Sequence, residues 1–577
     1  MARPPEPTFP KTRHVALDLG DGTPLADAIL VSTGPAVAVA QPEGVPEGAL
    51  GQAAPQTPLA AGAPEAAGEE GAPAPIQPPP PLIAQIACVD IGTAAGAPDR
   101  CARRDGTPAD VRCPSSLEGR VVAAEESARA ARTGDAILLA GIDRWYRMGS
   151  DTVGFCRSCE LALVEFLREG YGDHLQKFDP LEAIRTSSLP PLERPFARQR
   201  EVLRLSETLE AAKRAILRAR DEARRERGLE IAVLGRAGAI GAASLSLCRH
   251  LDGLVFDLPS LEPMDAVLPL LAARAALGQR PAVAVLPAAV SATQVRQFAA
   301  LATACDADLA LERGASAEAK AALADHRRFH ATIRERYRPA EPLAEAELLL
   351  SPSCDHWTFG AHQIAAAQAL SAAAATQLQT AIRLDLAGGT SAQLLILAGA
   401  AAISKADAAA ARRHLEGGKD LLLLGHCATI DEEGRPGEPV FPEADEDEIE
   451  RVGEGRLYFV SEPAEAKLVR GLRELIGRGR AQVTVAGRGR LFARAYLDPE
   501  KKLDVHLVNL DAKLSLAQGV QLTIAAQVAG GGRSGYWFAP DRSSGKDGER
   551  IPLNPSGFSV STILPSVSAY ALLTVPR

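Results

Sequence analysis

The sequence predicts a parallel α/β barrel, followed by a second α/β unit and a small C-terminal β-sandwich. Between Leu82 and about Arg338, short apolar runs alternate with helical stretches. A second alternation of this kind spans about Glu345 to Val460, and from about Arg480 onward the helical period disappears. Fully apolar runs separated by helices indicate parallel strands with helices on their faces, whereas alternating runs separated by Gly, Pro and Asp indicate antiparallel strands.

The first α/β region has six predicted strands with helices between them. Two more strands would complete a (β/α)₈ TIM-type barrel. His14–Leu19 and Asp27–Val31 can supply them, but no clear helix separates these two segments, so we expect a degenerate barrel start. The predicted strands are Ile83–Val89, Ala136–Ala140, Ile231–Leu234, Gly253–Phe256, Ala282–Leu286 and Asp308–Leu311, and the helices are Cys159–Tyr171, Pro195–Arg227, Met264–Leu277, Ala292–Ala304 and Ala317–Tyr337.

The rest of the chain divides by composition and pattern. Five predicted strands in the second region suit a flavodoxin-like doubly wound domain, and the acidic run Glu443–Glu450 reads as a solvated loop. The predicted organisation is residues 1–40 for the degenerate barrel strands, 41–81 for a linker rich in Pro, Ala and Gly, 82–340 for the barrel, 341–478 for the flavodoxin-like domain and 479–577 for the β-sandwich.

Composition excludes several classes of protein. With 577 residues, 46% apolar and 23% charged, the chain is neither wholly disordered nor a membrane bundle. A net charge of −9 gives no basic surface for nucleic acid, and the longest apolar stretch, Leu394–Ile403, is too short to span a membrane. The N-terminus lacks the features of a secretory signal, and nine cysteines, an odd number, argue against a disulfide framework. We therefore expect a cytoplasmic protein.

The stretch from Asp135 to Asp179 is the most informative about function. The strand Ala136–Ala140 ends in Gly141-Ile142-Asp143-Arg144-Trp145-Tyr146. In a parallel barrel, the carboxyl end of a strand faces the active-site mouth, and aromatic rings beside a carboxyl group suit a sugar and its acetal bond. Alternatively, Asp143 caps a loop and the aromatic residues only fill the barrel rim.

Several motifs resemble family 42 glycoside hydrolases and their relatives. Cys156-Arg157-Ser158-Cys159 opens a helix that contains Phe166-Leu167 and ends in Tyr171-Gly172, after a strand in the position of the fourth barrel strand. Cys113-Pro114 upstream, Asp431–Pro436 in the middle region and Val505–Asn509 near the end are also similar. Each motif is weak, but their order matches the family's barrel, trimerisation domain and sandwich. The resemblance implies a carbohydrate substrate, no cofactor for catalysis and a homotrimer.

The chain departs from the family at both catalytic positions. The family's acid/base is a Glu in an Asn-Glu pair at the end of strand four, where this chain has Gly141-Ile142-Asp143. The family's nucleophile is a Glu at the end of strand seven, where this chain has Val285–Ala288. The remaining acids at strand ends are Asp257 and Glu312, so a catalytic pair would combine Asp143 with one of them. Either could instead be a strand-end cap or a partner of Arg236 or Arg313.

Further candidate ligands accompany these acids. We expect Asp90, Arg144, Trp145, Tyr146 and Arg236 to contact a sugar. Cys156 and Cys159 have zinc-ligand spacing, with Cys101 and Cys113 upstream, and the resemblance implies a structural four-cysteine site. Buried free cysteines are the alternative.

Two functions follow from the sequence. The first is a glycoside hydrolase with paired carboxylates at a barrel mouth, Asp143 with Asp257 or Glu312. The second is a catalytically inactive carbohydrate-binding or scaffold protein that keeps the glycosidase architecture. The missing Asn-Glu pair, the missing strand-seven glutamate and the degenerate barrel start favour the second.

Overall fold

The computed structural model describes most of the chain from Ile86 to Arg577. The predicted strands near Ala16 and Ile29, the linker before Leu82 and the residues Asp143, Arg144, Trp145 and Tyr146 lie outside the described residues. The described ranges are 86–94, 100–142, 153–172, 179–189, 194–333, 341–358, 360–432, 434–435, 437, 440–441, 445–477, 481–487, 490–498, 502–511, 519–541 and 547–577.

A sheet of six parallel strands forms the first unit. Its order, β1-β4-β5-β6-β7-β8, follows the chain, so each strand pairs with the one that precedes it in the sheet. A short antiparallel hairpin, β2–β3, is inserted after β1. The strands are β1 (Ile86–Asp90), β2 (Arg100–Ala102), β3 (Pro108–Arg112), β4 (Ala136–Ala140), β5 (Ala232–Ala237), β6 (Gly253–Asp257), β7 (Ala282–Leu286) and β8 (Asp308–Leu311).

Helices connect these strands, and several begin at side-chain caps. Ser291 caps one helix through a reciprocal contact with Gln294, and Ser116 and Asp179 accept backbone N–H groups at two other helix starts. No helix within the described ranges is long and apolar enough to cross a membrane. The helices of this unit are α1 (Leu117–Ala131), α2 (Arg157–Tyr171), α3 (Pro180–Thr186), α4 (Ala197–Arg227), α5 (Ala242–Leu247), α6 (Pro263–Leu277), α7 (Ala292–Ala304) and α8 (Ala317–Ile333).

The two faces of this sheet are buried differently. One face packs against helices, with Val233, Phe256 and Ala284 in a core that also contains residues of α4, α6 and α7. The buried cluster on the opposite face, which includes Leu138 and Val255, consists of strand residues alone. We call this opposite side the inner face.

The middle unit is a second mixed α/β layer. Five parallel strands have the order β11-β10-β12-β13-β15, and β14 joins the edge antiparallel to β15. The order 2-1-3-4-5 of the parallel strands occurs in doubly wound sheets. Strand β9 (Glu341–Pro342) precedes this unit in the chain and belongs to a sheet of the C-terminal unit. The strands of the middle sheet are β10 (Ala346–Leu349), β11 (Thr380–Arg383), β12 (Leu394–Ala398), β13 (Asp420–Leu424), β14 (Ile449–Val452) and β15 (Gly455–Val460), and the helices are α9 (Pro352–Trp357), α10 (Ala361–Ala375), α11 (Lys405–Glu416) and α12 (Glu465–Ile476).

Two elements of the middle unit differ from the sequence interpretation. The predicted acidic loop Glu443–Glu450 runs into β14, because Gly453 adopts a φ of 65° and turns the chain into a hairpin with β15. Helix α12 was not predicted, although Leu468, Leu472 and Leu475 form its buried stripe. Strand β14 lies at the edge of the sheet, where pairing with β15 decides the structure, whereas α12 packs its leucine stripe into the core.

The C-terminal unit contains two antiparallel sheets that share one core. Residues of both sheets, among them Ile524, Val560, Val505 and Leu573, form a single buried cluster around Trp537. The sheet orders are β16-β19-β23-β22 and β21-β20-β24-β18-β17-β9. The elements are β16 (Val483–Ala486), β17 (Leu491–Asp498), β18 (Lys502–Asn509), β19 (Gln521–Ala525), α13 (Ala526–Ala529), β20 (Ser534–Phe538), β21 (Glu549–Pro552), β22 (Asn554–Ser556), β23 (Ser559–Ile563) and β24 (Tyr570–Pro576).

The side chains of Gln377 and Glu345 connect the middle unit to the C-terminal unit by hydrogen bonds. The Gln377 amide donates to the carbonyl oxygen of Val485 and accepts from its N–H, both at 2.6 Å. Glu345 accepts the N–H of Gln379 at 3.0 Å and that of Gln482 at 2.7 Å through its two carboxylate oxygens. The side chains therefore satisfy backbone groups of strands that are distant in sequence.

Candidate active site and metal centre

Four polar residues project from the inner face at the carboxyl edge of the first sheet. Asp257 follows Val255 by two residues on β6, and Arg236 follows Leu234 by two residues on β5. Glu312, just beyond β8, follows Ala310 by two residues. Each of these apolar residues belongs to the inner-face cluster. Asp90, at the end of β1, has the same parity as Ile86 of that cluster. Since successive side chains point to opposite faces of a strand, the four predicted residues share one face and one edge.

Arg236 and Asp257 form an ion pair across β5 and β6. The Arg236 Nη2 donates to Asp257 Oδ1, while Arg236 Nη1 is buried without a hydrogen-bond partner among the described residues. The alternative that the sequence left open for Asp257, a salt bridge to Arg236, is therefore present in the structure. The pairing neutralises much of the charge of Asp257 and fixes the guanidinium group at the sheet edge.

Glu312 reaches back across the sheet to the end of β7. Its backbone N–H donates to the carbonyl oxygen of Leu286 at 2.8 Å, which extends the β7–β8 pairing by one step. Its carboxylate Oε2 accepts the N–H of Ala288 at 3.2 Å. The second carboxylate oxygen is not engaged in this contact.

Asp90 is tied to its own loop. Its Oδ1 accepts the N–H groups of Gly92 and Thr93 at 3.0 and 3.1 Å, and its Oδ2 accepts the Thr93 hydroxyl at 2.8 Å. The loop passes close to the end of β4, because a Cβ on Gly92 would lie 2.0 Å from the carbonyl oxygen of Gly141. Gly141 has a φ of 83°. Glycine is thus required where the two strand ends meet.

Asp143, Arg144, Trp145 and Tyr146, predicted to lie at this mouth, are outside the described residues. The described chain reaches Ile142, directly after the end of β4, and resumes at Val153.

The sequence analysis missed Cys88. This exposed thiol lies two residues before Asp90 on β1 and therefore shares the inner face with it. Partial burial of the side chain and the negative charge of Asp90 raise the pKa of the Cys88 thiol, and the charge of Arg236 acts in the opposite direction. The signal in the sequence is its position: Cys88 lies two residues from both Ile86 and Asp90 in an apolar run, and alternate residues of a strand share a face.

The four predicted cysteine ligands come together beside this edge. Their Sγ atoms all lie within 4.8 Å of one another. The Cys113 Sγ is 3.4 Å from that of Cys156 and 3.5 Å from that of Cys159, and the Cys101 Sγ is 3.8 Å from that of Cys159. Cys101 lies in β2 and Cys113 directly follows β3, whereas Cys156 and Cys159 lie at the start of α2, so the cluster joins two separate connections.

The cluster has the shape of a tetrahedral thiolate site. Zn–S bonds of about 2.3 Å place sulfur atoms about 3.8 Å apart in a tetrahedron, close to the observed separations. Hydrogen bonds from the thiols of Cys101, Cys113 and Cys159 lower the pKa of Cys156. Hydrogen bonds with Cys101, Cys156 and Cys159, together with burial, raise the pKa of Cys113. Hydrogen bonds with Cys101 and Cys113 lower the pKa of Cys159 as well, and a bound cation would compensate the charge that builds up when several of these thiols ionise.

The cluster also determines where the mouth connections lie. The Phe155 N–H donates to the carbonyl oxygen of Ala102 at 3.1 Å, and buried Arg112 donates to the carbonyl oxygen of Ile91 and to Glu126. The segment that precedes α2 is thereby fixed against the hairpin that follows Asp90. The four cysteines can thus brace the connections after β1 and β4.

The fold is that of family 42 β-galactosidases. The chain superimposes on the β-galactosidase of Bacillus circulans sp. alkalophilus with a TM-score of 0.61 at 11% identity, covering 85% of this chain and 89% of that one. For the GH42 β-galactosidase Gan42B of G. stearothermophilus the TM-score is 0.62 at 12% identity, with 86% and 88% covered. The α-L-fucosidase isoenzyme 2 of Paenibacillus thiaminolyticus gives 0.56 at 12% identity, with 85% and 87% covered.

These similarities concern the structure rather than the sequence. No protein-family model matches the chain, and no curated protein matches it. The resemblance to family 42 that the motifs predicted is confirmed in the fold.

Proposed function

We propose that the protein is a glycoside hydrolase that cleaves a glycosidic bond at the mouth of the parallel sheet. The observation that carries the proposal is the set of acids at one edge and on one face, Asp257 and Glu312, beside the strand end that leads to Asp143. The likeness in fold to β-galactosidases and a fucosidase favours a sugar substrate. Two more strands from the N-terminal segments would close the barrel around this mouth.

Glu312 is the better candidate for the second carboxylate. The family's nucleophile ends strand seven, and the Glu312 carboxylate accepts the N–H of Ala288 just beyond β7. Asp257 is already engaged by Arg236. We therefore assign Glu312 as nucleophile or general base and Asp143 as the acid that protonates the leaving oxygen. Asp257 then orients Arg236.

The remaining mouth residues would bind the sugar. The buried Arg236 Nη1 has a free donor for a hydroxyl group, and Asp90 offers carboxylate oxygens at the neighbouring strand end. Trp145 and Tyr146 would stack on the ring, with Arg144 beside them. A carboxylate pair about 5–5.5 Å apart would retain the anomeric configuration, and one about 6.5–9.5 Å apart would invert it.

Cys101, Cys113, Cys156 and Cys159 would hold a structural zinc ion. The ion would supply a cross-link between two connections and no step of the hydrolysis. Catalysis needs no cofactor in this proposal. Four clustered thiols are stable in a reducing compartment such as the cytoplasm.

The middle unit would serve as a flavodoxin-like trimerisation domain. Its parallel strand order supports this assignment. A homotrimer is expected on sedimentation, and a monomer at all concentrations would exclude it.

The second candidate is an inactive carbohydrate-binding or scaffold protein. The specific observation that favours it is the pairing of Asp257 with Arg236, together with a β7 end that carries no carboxylate of its own. Such a protein would bind a saccharide without cleaving it.

Turnover on a panel of aryl glycosides separates the two candidates. The hydrolase predicts release of phenol from at least one substrate and a loss of at least about 100-fold in Asp143→Asn. Asp385→Asn changes an exposed carboxylate that accepts the N–H of Ala387, so it should keep full turnover. Saccharide-dependent thermal shifts without turnover would support the binder, and the absence of both would overturn the proposal.

A further inference from the structure

A cavity lies behind the sheet, between the first unit and the middle unit. Its volume is about 190 Å³, it is partly open on one side, and it is lined by the ends of β4 and β5, the start of β6, helix α5 and helix α9. The lining residues are Ile142, Ala237, Ala239, Gly241, Ala242, Ala243, Ser244, Leu247, Leu251, Leu254 and Asp355.

The walls are apolar except for two side chains. The Ser244 hydroxyl donates to the carbonyl oxygen of Gly241 and accepts its N–H, so its hydrogen bonds are local. Asp355 is the other polar residue, contributed by the middle unit, and it is only 8% exposed. A ligand in this cavity would therefore meet aliphatic carbon on most sides and one carboxyl group.

Asp355 is only half satisfied. Its Oδ2 accepts the N–H of Ala242 at 2.8 Å, but its Oδ1 is buried and has no hydrogen-bond partner among the described residues. Burial raises the pKa of Asp355 to about 6, while the Ala242 N–H and the Gln363 amide act in the opposite direction. The Gln363 Nε2 itself donates to the carbonyl oxygen of Ile240 at 2.9 Å. Burying a carboxylate oxygen without a hydrogen-bond donor costs free energy, so a ligand that donates a hydrogen bond to Oδ1 would be stabilised in this cavity.

The cavity is separate from the sugar site. Ala237 and Leu254 face the helices, whereas their neighbours Arg236 and Val255 belong to the inner face. The sheet therefore stands between the two sites. Ile142 nevertheless directly precedes Asp143 in the chain, so an occupant would contact the strand end that leads to the mouth.

We propose that this cavity binds a small organic cation, a primary ammonium group on a short apolar body, with the ammonium on Asp355 Oδ1. Size supports this, because an engineered cavity of about 150 Å³ lined by apolar side chains takes up benzene. A positively charged ligand is favoured, because an ammonium group donates a charge-assisted hydrogen bond to Asp355 Oδ1, whereas a neutral apolar molecule leaves this oxygen without a donor. A hydrated inorganic cation would not suit walls of alanine and leucine.

Benzylamine tests the proposal against two neutral molecules of similar shape, benzyl alcohol and toluene. Titration of the full chain at pH 7.5 by calorimetry should show benzylamine binding at least about tenfold more tightly than benzyl alcohol. Equal affinities in the unmodified protein would overturn the proposal without any variant. Absence of binding by all three compounds would also overturn it and would indicate a cavity filled by water.

Two variants identify the site. Asp355→Asn keeps an oxygen that can accept the Ala242 N–H, so it should fold, bind benzylamine at least tenfold more weakly and leave the affinity for benzyl alcohol unchanged. Ala243→Leu should fill the cavity and weaken all ligands, whereas Asp385→Asn, a change at an exposed aspartate, should alter none. Unchanged benzylamine binding in both Asp355→Asn and Ala243→Leu would place the ligand elsewhere and contradict the proposal. None of these readouts depends on hydrolysis.

Discussion

The Glu312 carboxylate accepts the backbone N–H of Ala288, with 3.2 Å between Oε2 and the nitrogen. A side chain that belongs to the last strand of the described sheet thus lies over the end of the strand before it. The distance between neighbouring parallel strands, about 4.8 Å, is within the reach of a glutamate side chain. Glu312 can therefore supply a carboxylate at the end of β7, a strand that does not itself end in an acidic residue.

Glu312→Gln should reduce turnover without unfolding the protein. The amide oxygen can still accept the Ala288 N–H, but an amide can act neither as nucleophile nor as base, so we expect kcat to fall by about 100-fold or more. The measurement is kcat on the best aryl glycoside, with the far-UV spectrum and Tm as folding checks. Glu318→Gln, at an exposed position in the first turn of α8, is the matched control. Turnover within threefold of the unmodified protein would assign the second carboxylate role to another residue.

The cysteine cluster should bind one zinc ion per chain. Loss of one ligand in Cys113→Ser should remove most of the bound metal and lower Tm by at least about 5 °C, because the metal links the hairpin after β1 to the start of α2. Metal content after dialysis and thermal unfolding measure the two effects. Cys248→Ala removes a buried thiol outside the cluster and should leave the zinc content unchanged. An unmodified protein purified without metal, which gains no stability from added zinc, would favour buried free thiols.

His326 should make the fold sensitive to acid. The ring lies between Thr303, whose hydroxyl is 2.9 Å from Nε2, and Tyr570, whose ring centroid is 5.9 Å away. Burial lowers its pKa to about 4, whereas an unfolded chain would titrate near 6.5. The unfolded state therefore binds the proton first as the pH falls, and the stability present above pH 6.5 is lost toward pH 4. Because of this histidine, the free energy of unfolding should decrease by about 2 kcal/mol when the pH is lowered from 8 to 5.

Urea denaturation of His326→Gln at these two pH values measures that contribution. The variant keeps a polar group for Thr303 and should lose less stability on acidification than the unmodified protein. His426→Gln, at an exposed histidine, should keep the original pH dependence. Identical slopes for His326→Gln and the unmodified protein would contradict the assignment.

Titration of Glu345 should have the opposite effect on stability, because its contribution is lost as the pH rises rather than as it falls. Burial raises its pKa to about 7, although the N–H groups of Gln379 and Gln482 both favour the charged form. The folded protein thus holds this proton to higher pH than the unfolded chain. The stability that this group contributes is full below about pH 4.5 and is lost as the pH rises through 7, by about 2 kcal/mol between pH 5 and pH 8.

Glu345→Gln should remove this part of the pH dependence, whatever its effect on absolute stability. Unfolding free energies of the variant and the unmodified protein at pH 5 and pH 8 give the difference directly. Glu341→Gln changes an exposed glutamate of the same segment and serves as the control. A pH dependence equal to that of the unmodified protein would show that Glu345 does not titrate in this range.

Local pattern was enough to predict many elements of the fold. Ala136–Ala140 and Ala282–Leu286 are strands with the predicted bounds, because short, continuous apolar runs between helices are typical of buried parallel strands. Lys405–Glu416 is the predicted helix, which begins after the Ser404 cap and ends at Gly417. The order of these segments, with the cysteine spacing, also led to the family whose fold the protein has.

The contacts within the candidate site depended on tertiary structure. The sequence contained Arg236 and Asp257, Glu312 and Ala288, and the four cysteines, but the register of the parallel strands and the packing of their connections decided which of them meet. The half-satisfied Asp355 also depends on tertiary structure, since Ala242, whose N–H it accepts, is 113 residues away. Secondary structure arises from interactions between near neighbours in sequence. A site arises from distances between remote residues, which are fixed only when their strands and helices pack.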